Sequence, residues 1–521
     1  MAVTDSMQLA RRLGWTDPRQ IAAATAAMTR WGPTVAGMFG ASAVRHPGRD
    51  AVVDDRGSVT YRTLDRDSTE LAKGFRSLGI QPGEHIGVLC RNHRGFVEVT
   101  IAAAKAGLAC VYLNTGSAAR QLGEVVAREG VNAIVCDPDL VAIVGASGFD
   151  GPVIVSEGDG GAHRSIAAVR HLASGRPLRP SMPVNPVLLT SGTTGTPKGA
   201  RRTGRPTGLA SAIGLLERIP YRTGDISVIP TPLFHAWGLA QLMIAVTTAS
   251  TAVLVRRFEP GATLDAVEQH RATVLAVVPI MLQRMLASDG VDRRDAPTLR
   301  IVASSGSALP AQVALDWMDR FGDNLYNMYG STEVGQATLA TPADLRAAPG
   351  TAGRVVKGST VRVVDTSGSP VAARREGLVV VGNDAQFTEY TGGGTKDTVG
   401  GLMSSGDVGY FDDDGRLFVT GRADDMIVSG GENVFPQEIE ELLLAVDDIA
   451  DAAVFGVPDD DFGQRLAAHV VRRPGSSVDA DAIRSLIAGD LARHKVPRDI
   501  TFVDEVPRNP TGKLIRSRLT S

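Results

Sequence analysis

From Ala51 onward, short β-branched or apolar runs alternate with helix-like stretches, and this alternation restricts the fold more than any other property of the chain. Ile86–Leu89, Ala133–Cys136 and Val153–Val155 read as strands, and Asp65–Leu78 and Phe96–Ala106 read as helices. A strand that is followed by a helix before the next strand comes back parallel, with the helix as crossover. The expected class is therefore α/β, with parallel sheet in a large N-terminal part. The same rhythm runs through Ala252–Val255, Val274–Val278 and Arg300–Ala303. Val187–Leu189 reads as a short strand leading into a polar loop at Thr190.

The texture changes near residue 350. Glycine and short strands (Thr360–Val364, Gly377–Val381, Leu417–Thr420) predict a small, mostly β subdomain. A second change follows Gly421-Arg422. Helix Pro436–Ala445, strands Ile449–Val457 and Ala467–Arg472, helix Asp479–Leu491 and a polar tail predict a compact α+β domain. At 521 residues the chain exceeds one ordinary domain. The expected division is 1–421 and 422–521. The run Gly392-Gly393-Gly394 is expected to be a flexible loop.

Composition excludes several classes. Lys plus Arg number 54 against 57 Asp plus Glu, a net charge of −3 that carries no basic excess for nucleic acid. The three cysteines, Cys90, Cys110 and Cys136, lie in apolar contexts without CxxC spacing, so buried free thiols are expected. The opening residues lack the apolar core of a signal peptide. Val274–Leu282, interrupted by Pro279, is far shorter than the ~20 residues that span a bilayer. A soluble, cytoplasmic protein is expected; peripheral membrane contact and a homodimer stay compatible with the sequence.

The densest chemical signal is Thr190-Ser191-Gly192-Thr193-Thr194-Gly195-Thr196-Pro197-Lys198-Gly199. Small residues let backbone N–H groups approach phosphate oxygens, hydroxyls add donors, and Lys198 adds a point charge. The spacing is not that of a P-loop: Lys198 follows Gly195 by three and is not followed by Ser or Thr. Four further segments carry side chains of matching chemistry. Asn327-Met328-Tyr329-Gly330-Ser331-Thr332-Glu333 offers an aromatic to stack on a purine, hydroxyls for phosphate and a carboxylate for Mg²⁺. Ser405-Gly406-Asp407 offers a two-oxygen acceptor for a vicinal diol. Pro232–Gly238 sets His235 among apolar residues, and Ser305-Gly306-Ser307 reads as a polar turn. Read alone, each is also compatible with an ordinary turn or a packed core residue.

Taken in order, these segments resemble the motifs of the adenylate-forming superfamily, which includes acyl-CoA synthetases, nonribosomal peptide adenylation domains and beetle luciferases. The resemblance covers almost the whole chain. It implies that Thr190–Lys198 grips the ATP phosphates, that Gly306 and Asn327–Thr332 line the nucleotide site, and that Tyr329 stacks on adenine. Thr332 would meet the α-phosphate, and Glu333 would hold Mg²⁺ with Thr194. Asp407 would take the ribose hydroxyls and Arg422 would contact the nucleotide. Asp424 would be the hinge of a mobile C-terminal domain. His235 would lie near the reacting carboxylate. Gly430-Gly431-Glu432 would lie along the pantetheine arm of CoA, and Lys513 in Pro507-Arg508-Asn509-Pro510-Thr511-Gly512-Lys513 would be the catalytic lysine. Ser307, where relatives often carry Gly or Ala, and Ser405, where they often carry Thr, depart from the pattern.

The implied reaction is ATP-dependent activation of a carboxylic acid followed by transfer to CoA, with ATP, Mg²⁺ and CoA as cofactors. A medium- or long-chain fatty acid is the expected substrate. One alternative is a fatty acyl-AMP ligase or an adenylating enzyme that loads a carrier protein, met as a separate chain. Another is a non-catalytic nucleotide-binding homologue, against which the presence of Lys198, Glu333, Asp407, Arg422 and Lys513 argues.

Overall fold

The computed structural model describes residues 11–159, 161–174, 178, 185–189, 198–201, 209–429, 432–459, 463–509 and 512–519. The chain folds as two compact units, each assembled from separate segments. The first comprises Met1–Val277, Ala287–Ala303 and Asp384–Thr395; the second comprises Val278–Leu286, Ser304–Asn383 and Lys396–Ser521. The expected boundary at 421–422 falls within the second unit, at the end of strand Leu417–Arg422.

The first unit holds the parallel sheet that the alternation predicts. Ile226–Ile229 lies between Thr251–Leu254 and Val274–Val277, parallel to both, and Asp50–Asp54 extends the sheet in parallel beside Thr251–Leu254. Val274–Val277 is buried at every position, as befits an apolar strand covered on both faces. A second sheet is eight-stranded. Its centre is parallel: His85–Leu89 lies between Ala109–Tyr112 and Val131–Cys136, with Val153–Val155 beyond. Helix Tyr61–Ser77 starts four residues before the expected Asp65, because the Thr60 side chain caps it by accepting the Thr63 N–H. Cys90, Cys110 and Cys136 are buried free thiols, as expected. Gly392–Gly394 closes a tight turn, with Gly393 N–H donating to Tyr390 O at 2.9 Å.

The second unit carries the β-rich segment that the glycine-rich text predicts. Hairpin Leu325–Ser331/Gly335–Ala340 is antiparallel. A five-stranded antiparallel sheet joins Ser359–Val364, Gly377–Asn383, Leu402–Phe411, Thr398–Val399 and Leu417–Arg422. Another five-stranded sheet is built on the long hairpin Ile449–Asp459/Gly463–Arg472. Helices Pro436–Leu444 and Ala480–Asp490 bury Ile439, Leu443, Ile483 and Ile487 against Val454, Leu466, Ala468 and Val470 of that sheet. The expected polar tail is not wholly irregular: Asp499–Phe502 adds a strand parallel to Gly463–Arg472. Among the described residues no helix is long and apolar enough to cross a membrane.

Candidate active site

Most of the described candidate residues lie in the second unit and converge there. Asn327, Met328, Tyr329, Gly330 and Ser331 end the strand Leu325–Ser331. The hairpin register slips between Tyr329 and Gly330, and a Cβ at Gly330 would stand 2.1 Å from the Gly335 carbonyl oxygen. Only glycine fits that approach. Ser331 Oγ then accepts the backbone N–H groups of Glu333 and Val334 at 3.3 and 3.2 Å, which orders the turn that presents Thr332 and Glu333.

Asp407 enters from strand Leu402–Phe411. The Tyr329 hydroxyl donates to Asp407 Oδ2 at 2.5 Å, and Arg422 Nη1 lies 3.4 Å from Asp407 Oδ1. Burial of the Tyr329 hydroxyl and the adjacent Asp407 charge hold its pKa well above the ordinary range. Arg422 also forks onto Asp424, at 2.8 Å from Nε and 3.0 Å from Nη2. The carboxylate of Asp407 is thus fixed between a phenol and a guanidinium, with further acceptor capacity on both oxygens.

Lys513 feels the charges of Glu333, Asp407 and Arg422. The residue as a whole is exposed. Desolvation lowers its pKa; the charges of Glu333 and Asp407 oppose that, while Arg422 and Lys396 add to it. Lys396 itself donates to Ser405 O at 2.6 Å, bracing the strand just before Asp407. Gly306, with φ at +100°, turns the chain beside Ser305, whose Oγ stands 4.0 Å from Met328 Sδ.

The residues fit a purine nucleotide. Asn327 and Tyr329 alternate onto one face of their strand. Asn327 is buried, and its Oδ1 has no hydrogen-bond partner among the described residues. An exocyclic amino group beside the Tyr329 ring is the donor such an oxygen lacks. Glu333 offers a carboxylate oxygen of the hard kind that Mg²⁺ prefers.

The first unit holds the other described candidates. Lys198 is exposed, its ammonium 5.5 Å from the centre of the Tyr390 ring. The strand it precedes is anchored by Thr391, which accepts Gly199 N–H at 2.9 Å and donates to the buried Glu129 at 2.6 Å. His235 is half-buried at the N-cap of helix Ala236–Thr247, its ring 4.4 Å from that of Phe234. Trp237, two residues on, donates from Nε1 to Val277 O at 2.9 Å. Thr190 through Pro197, including Thr194, lie outside the described residues, as do Gly430 and Gly431. Glu432 is described as backbone only, in a strand pairing with Ile427–Ser429.

One side chain and one pairing near these residues carried no sequence signal. Lys396 sits in a polar loop. Arg508, in the Lys513 loop, is paired with Asp451, 57 residues earlier.

Comparison with known proteins identifies the family. The AMP-binding enzyme family matches residues 39–391, and the AMP-binding enzyme C-terminal domain matches 438–513. The chain is 31% identical over 492 residues to the fatty acid–[acyl-carrier-protein] ligase ScoC of Streptomyces coeruleorubidus, covering 92% of this chain and 94% of that protein. It is 32% identical over 490 residues to a feruloyl-CoA synthase of Amycolatopsis sp, covering 92% and 95%. The solved structure of ATP-bound MatB from Rhodopseudomonas palustris superposes with a TM-score of 0.83 at 25% identity, covering 93% of this chain and 98% of that one. The anthranilate CoA ligase AuaEII, solved with anthranoyl-AMP, shares the fold with a TM-score of 0.85 at 22% identity, covering 94% and 96%. The chain belongs to the AMP-binding enzyme family, the adenylate-forming ligases that use ATP, Mg²⁺ and CoA.

Proposed function

We propose that this chain is an AMP-forming acid–CoA ligase whose acid is a medium- or long-chain fatty acid. The observation that carries the nucleotide half of this reading is Asp407, held by Tyr329 and Arg422, with Lys513 feeling the charges of Asp407 and Glu333. The fatty acid ligase among the relatives supports a fatty acyl group.

In this reading a carboxylate oxygen attacks the α-phosphorus of ATP and pyrophosphate leaves. A carboxylate and a triphosphate repel each other, so the chain's task is positioning and charge neutralisation. Asp407 takes the ribose hydroxyls and Tyr329 stacks on adenine. Thr332 contacts the α-phosphate. Lys513 bridges the attacking carboxylate and the nucleotide, while Lys198 and the Thr190–Pro197 loop neutralise the leaving pyrophosphate. Mg²⁺, held by Glu333 and Thr194, supplies charge neutralisation on the phosphates when bound. Rotation of residues 422–521 about Asp424 then withdraws Lys513 and admits the CoA thiol past Gly430 and Gly431.

A second acceptor has a specific observation behind it: the relative from Streptomyces coeruleorubidus is named for an acyl carrier protein. One experiment separates these readings. AMP release is measured with ATP and a panel of straight-chain, branched and aromatic acids, with and without CoA. The proposal predicts release that requires CoA and is fastest with straight-chain acids. Preference for an aromatic acid overturns the fatty-acid assignment. Turnover only with a pantetheinylated carrier protein overturns CoA as the acceptor.

A further inference from the structure

The loop that carries Lys513 is closed on itself. Arg508 and Leu514 face each other across an antiparallel bridge. Asn509 N–H donates to Lys513 O, and Gly512 N–H to Asn509 O, both at 2.9 Å. Asn509 Oδ1 accepts the Lys513 N–H at 3.0 Å. These bonds hold Asn509 and residues 512–514, the described parts of the loop, to one another, but none of them fixes their place.

Arg508 supplies the place. Its guanidinium forks onto the Asp451 carboxylate, Nη2 to Oδ1 at 2.7 Å and Nε to Oδ2 at 3.0 Å. Its Nη1 donates to Gly512 O at 2.9 Å, the carbonyl immediately before Lys513. Both side chains are 17% exposed, so the pair is largely withdrawn from water. Asp451 sits in strand Ile449–Asp459, where the register with Gly463–Arg472 shifts. Beyond the loop, Arg516 bonds Asp425 at 2.9 Å and Val454 O at 3.1 Å, tying the outgoing chain to the same strand. At the loop tip Gly512 has φ at +80°, and a Cβ there would stand 2.7 Å from Ile280 Cγ2. The tip therefore seats closely on helix Pro279–Leu286.

We propose that Arg508, clamped by Asp451, is a positioning residue for Lys513, so that the Lys513 loop moves as a rigid part of strand Ile449–Asp459 and does not flex independently. The inference rests on Lys513 acting in adenylate formation, as proposed above. Lysine has a long flexible stem and its ammonium reaches only as accurately as its Cα is placed. A bidentate arginine–carboxylate pair supplies directional restraint that a lysine in place of Arg508 does not. Misplacement of a reacting group by about 1 Å costs about 100-fold in rate.

The test uses Asp451→Asn, Arg508→Lys and the double variant of the full chain, each read in two half-reactions. Acid-dependent pyrophosphate–ATP exchange reports adenylate formation, and thioester formation from supplied acyl adenylate and CoA reports the second step. The expected result is a kcat for exchange lowered about 100-fold with KM for ATP nearly unchanged, and thioester formation within about threefold of the parent. The double variant is expected to be no worse than either single one, and Asp451→Glu to recover most of the activity. Unchanged exchange in Asp451→Asn overturns the proposal. Equal loss of both half-reactions also overturns it, since that is the signature of a merely structural pair. Lys513→Ala runs alongside: if it retains full exchange, the role of Lys513 fails; if it loses exchange while Asp451→Asn keeps it, only the positioning role fails.

Discussion

Cys90, His93 and Asp137 in the first unit have the composition of a nucleophile triad, with their ligating atoms within 4.8 Å of one another; Tyr329, Asp407, Arg422 and Lys513 in the second unit do not. Partners separate the two regions more than residue type does. His93 Nδ1 accepts the Gly95 N–H at 3.0 Å, capping helix Arg94–Ala106, and Nε2 donates to Asp137 at 2.7 Å. Asp137 also accepts from Arg91 N–H and Nη1, each at 3.0 Å, and from Ser156 Oγ at 2.9 Å. Burial pushes the Asp137 carboxyl up, but the hydrogen bonds from His93, Arg91 and Ser156 prevail and bring its pKa to about 2. The Cys90 thiol is pushed well above its ordinary value, first by burial and then by the Asp137 charge. A thiol so raised is neither a nucleophile nor a ready metal ligand. All three residues are shut from solvent, and the group is a joint between strands His85–Leu89 and Val131–Cys136 and the helix that His93 caps. Asp407, by contrast, is held by two partners and keeps acceptor capacity for a ligand. A satisfied buried polar group holds a fold together; a held one with acceptor capacity to spare can take a ligand.

The largest effect that tests this contrast is Asp137→Ala. It leaves Arg91 and the His93 cap without their acceptor, at a cost of about 3–5 kcal/mol, read as a lower urea midpoint. Both half-reactions of the folded fraction are expected to be unchanged; a selective loss of one of them would make the joint part of the active site.

Glu98 marks the intermediate case, a buried carboxyl with poor partners. Its Oε1 has no hydrogen bond among the described residues, and Arg170 Nε stands 3.7 Å away. Burial raises its pKa to about 7, against the opposing charge of Arg170. The folded state therefore binds the proton more tightly than the unfolded chain. Stability from this group is greatest below about pH 4.5 and falls as pH rises to about 7. Glu98→Gln is expected to remove that fall and to stabilise the protein at pH 8 by about 2–3 kcal/mol. Urea titrations at pH 5 and pH 8 check this, and an unchanged pH slope would contradict it.

Tyr329→Phe keeps the ring and deletes the donor to Asp407. A hydrogen bond to a charged group is worth about 2 kcal/mol, so KM for ATP is expected to rise up to about thirtyfold. Discrimination against 2′-deoxy-ATP should narrow, because Asp407 loses its fixed orientation; equal discrimination in parent and variant breaks this account. The smallest effect belongs to Cys90→Ala, which removes a buried sulfur and costs about 1 kcal/mol of stability with both half-reactions intact. Loss of turnover in a stably folded Cys90→Ala protein would reverse the comparison.

Much of this was legible in the sequence because the governing patterns are local. Val274–Val277 and its neighbours announce buried parallel strands by composition, and Pro436 sits at the first turn of the helix it predicts. The motif around Tyr329 is contiguous, so its residues share a hairpin. What was hidden is what the topology joins across distance. Nothing in the text pairs Asp451 with Arg508, or Glu129 with Thr391. Helix Tyr61–Ser77 begins earlier than its apolar pattern because a hydroxyl cap sets its start. Asp499–Phe502 reads as tail because its four residues are too few to show a period, and it gains its order from pairing with Gly463–Arg472.

The measurement closest to the centre of this account is the pair of half-reactions in Lys513→Ala. The account predicts that acid-dependent pyrophosphate–ATP exchange falls by about a thousandfold or more, while thioester formation from supplied acyl adenylate and CoA stays near the parent rate. Exchange at the parent rate, or equal collapse of both half-reactions in a folded protein, would contradict it.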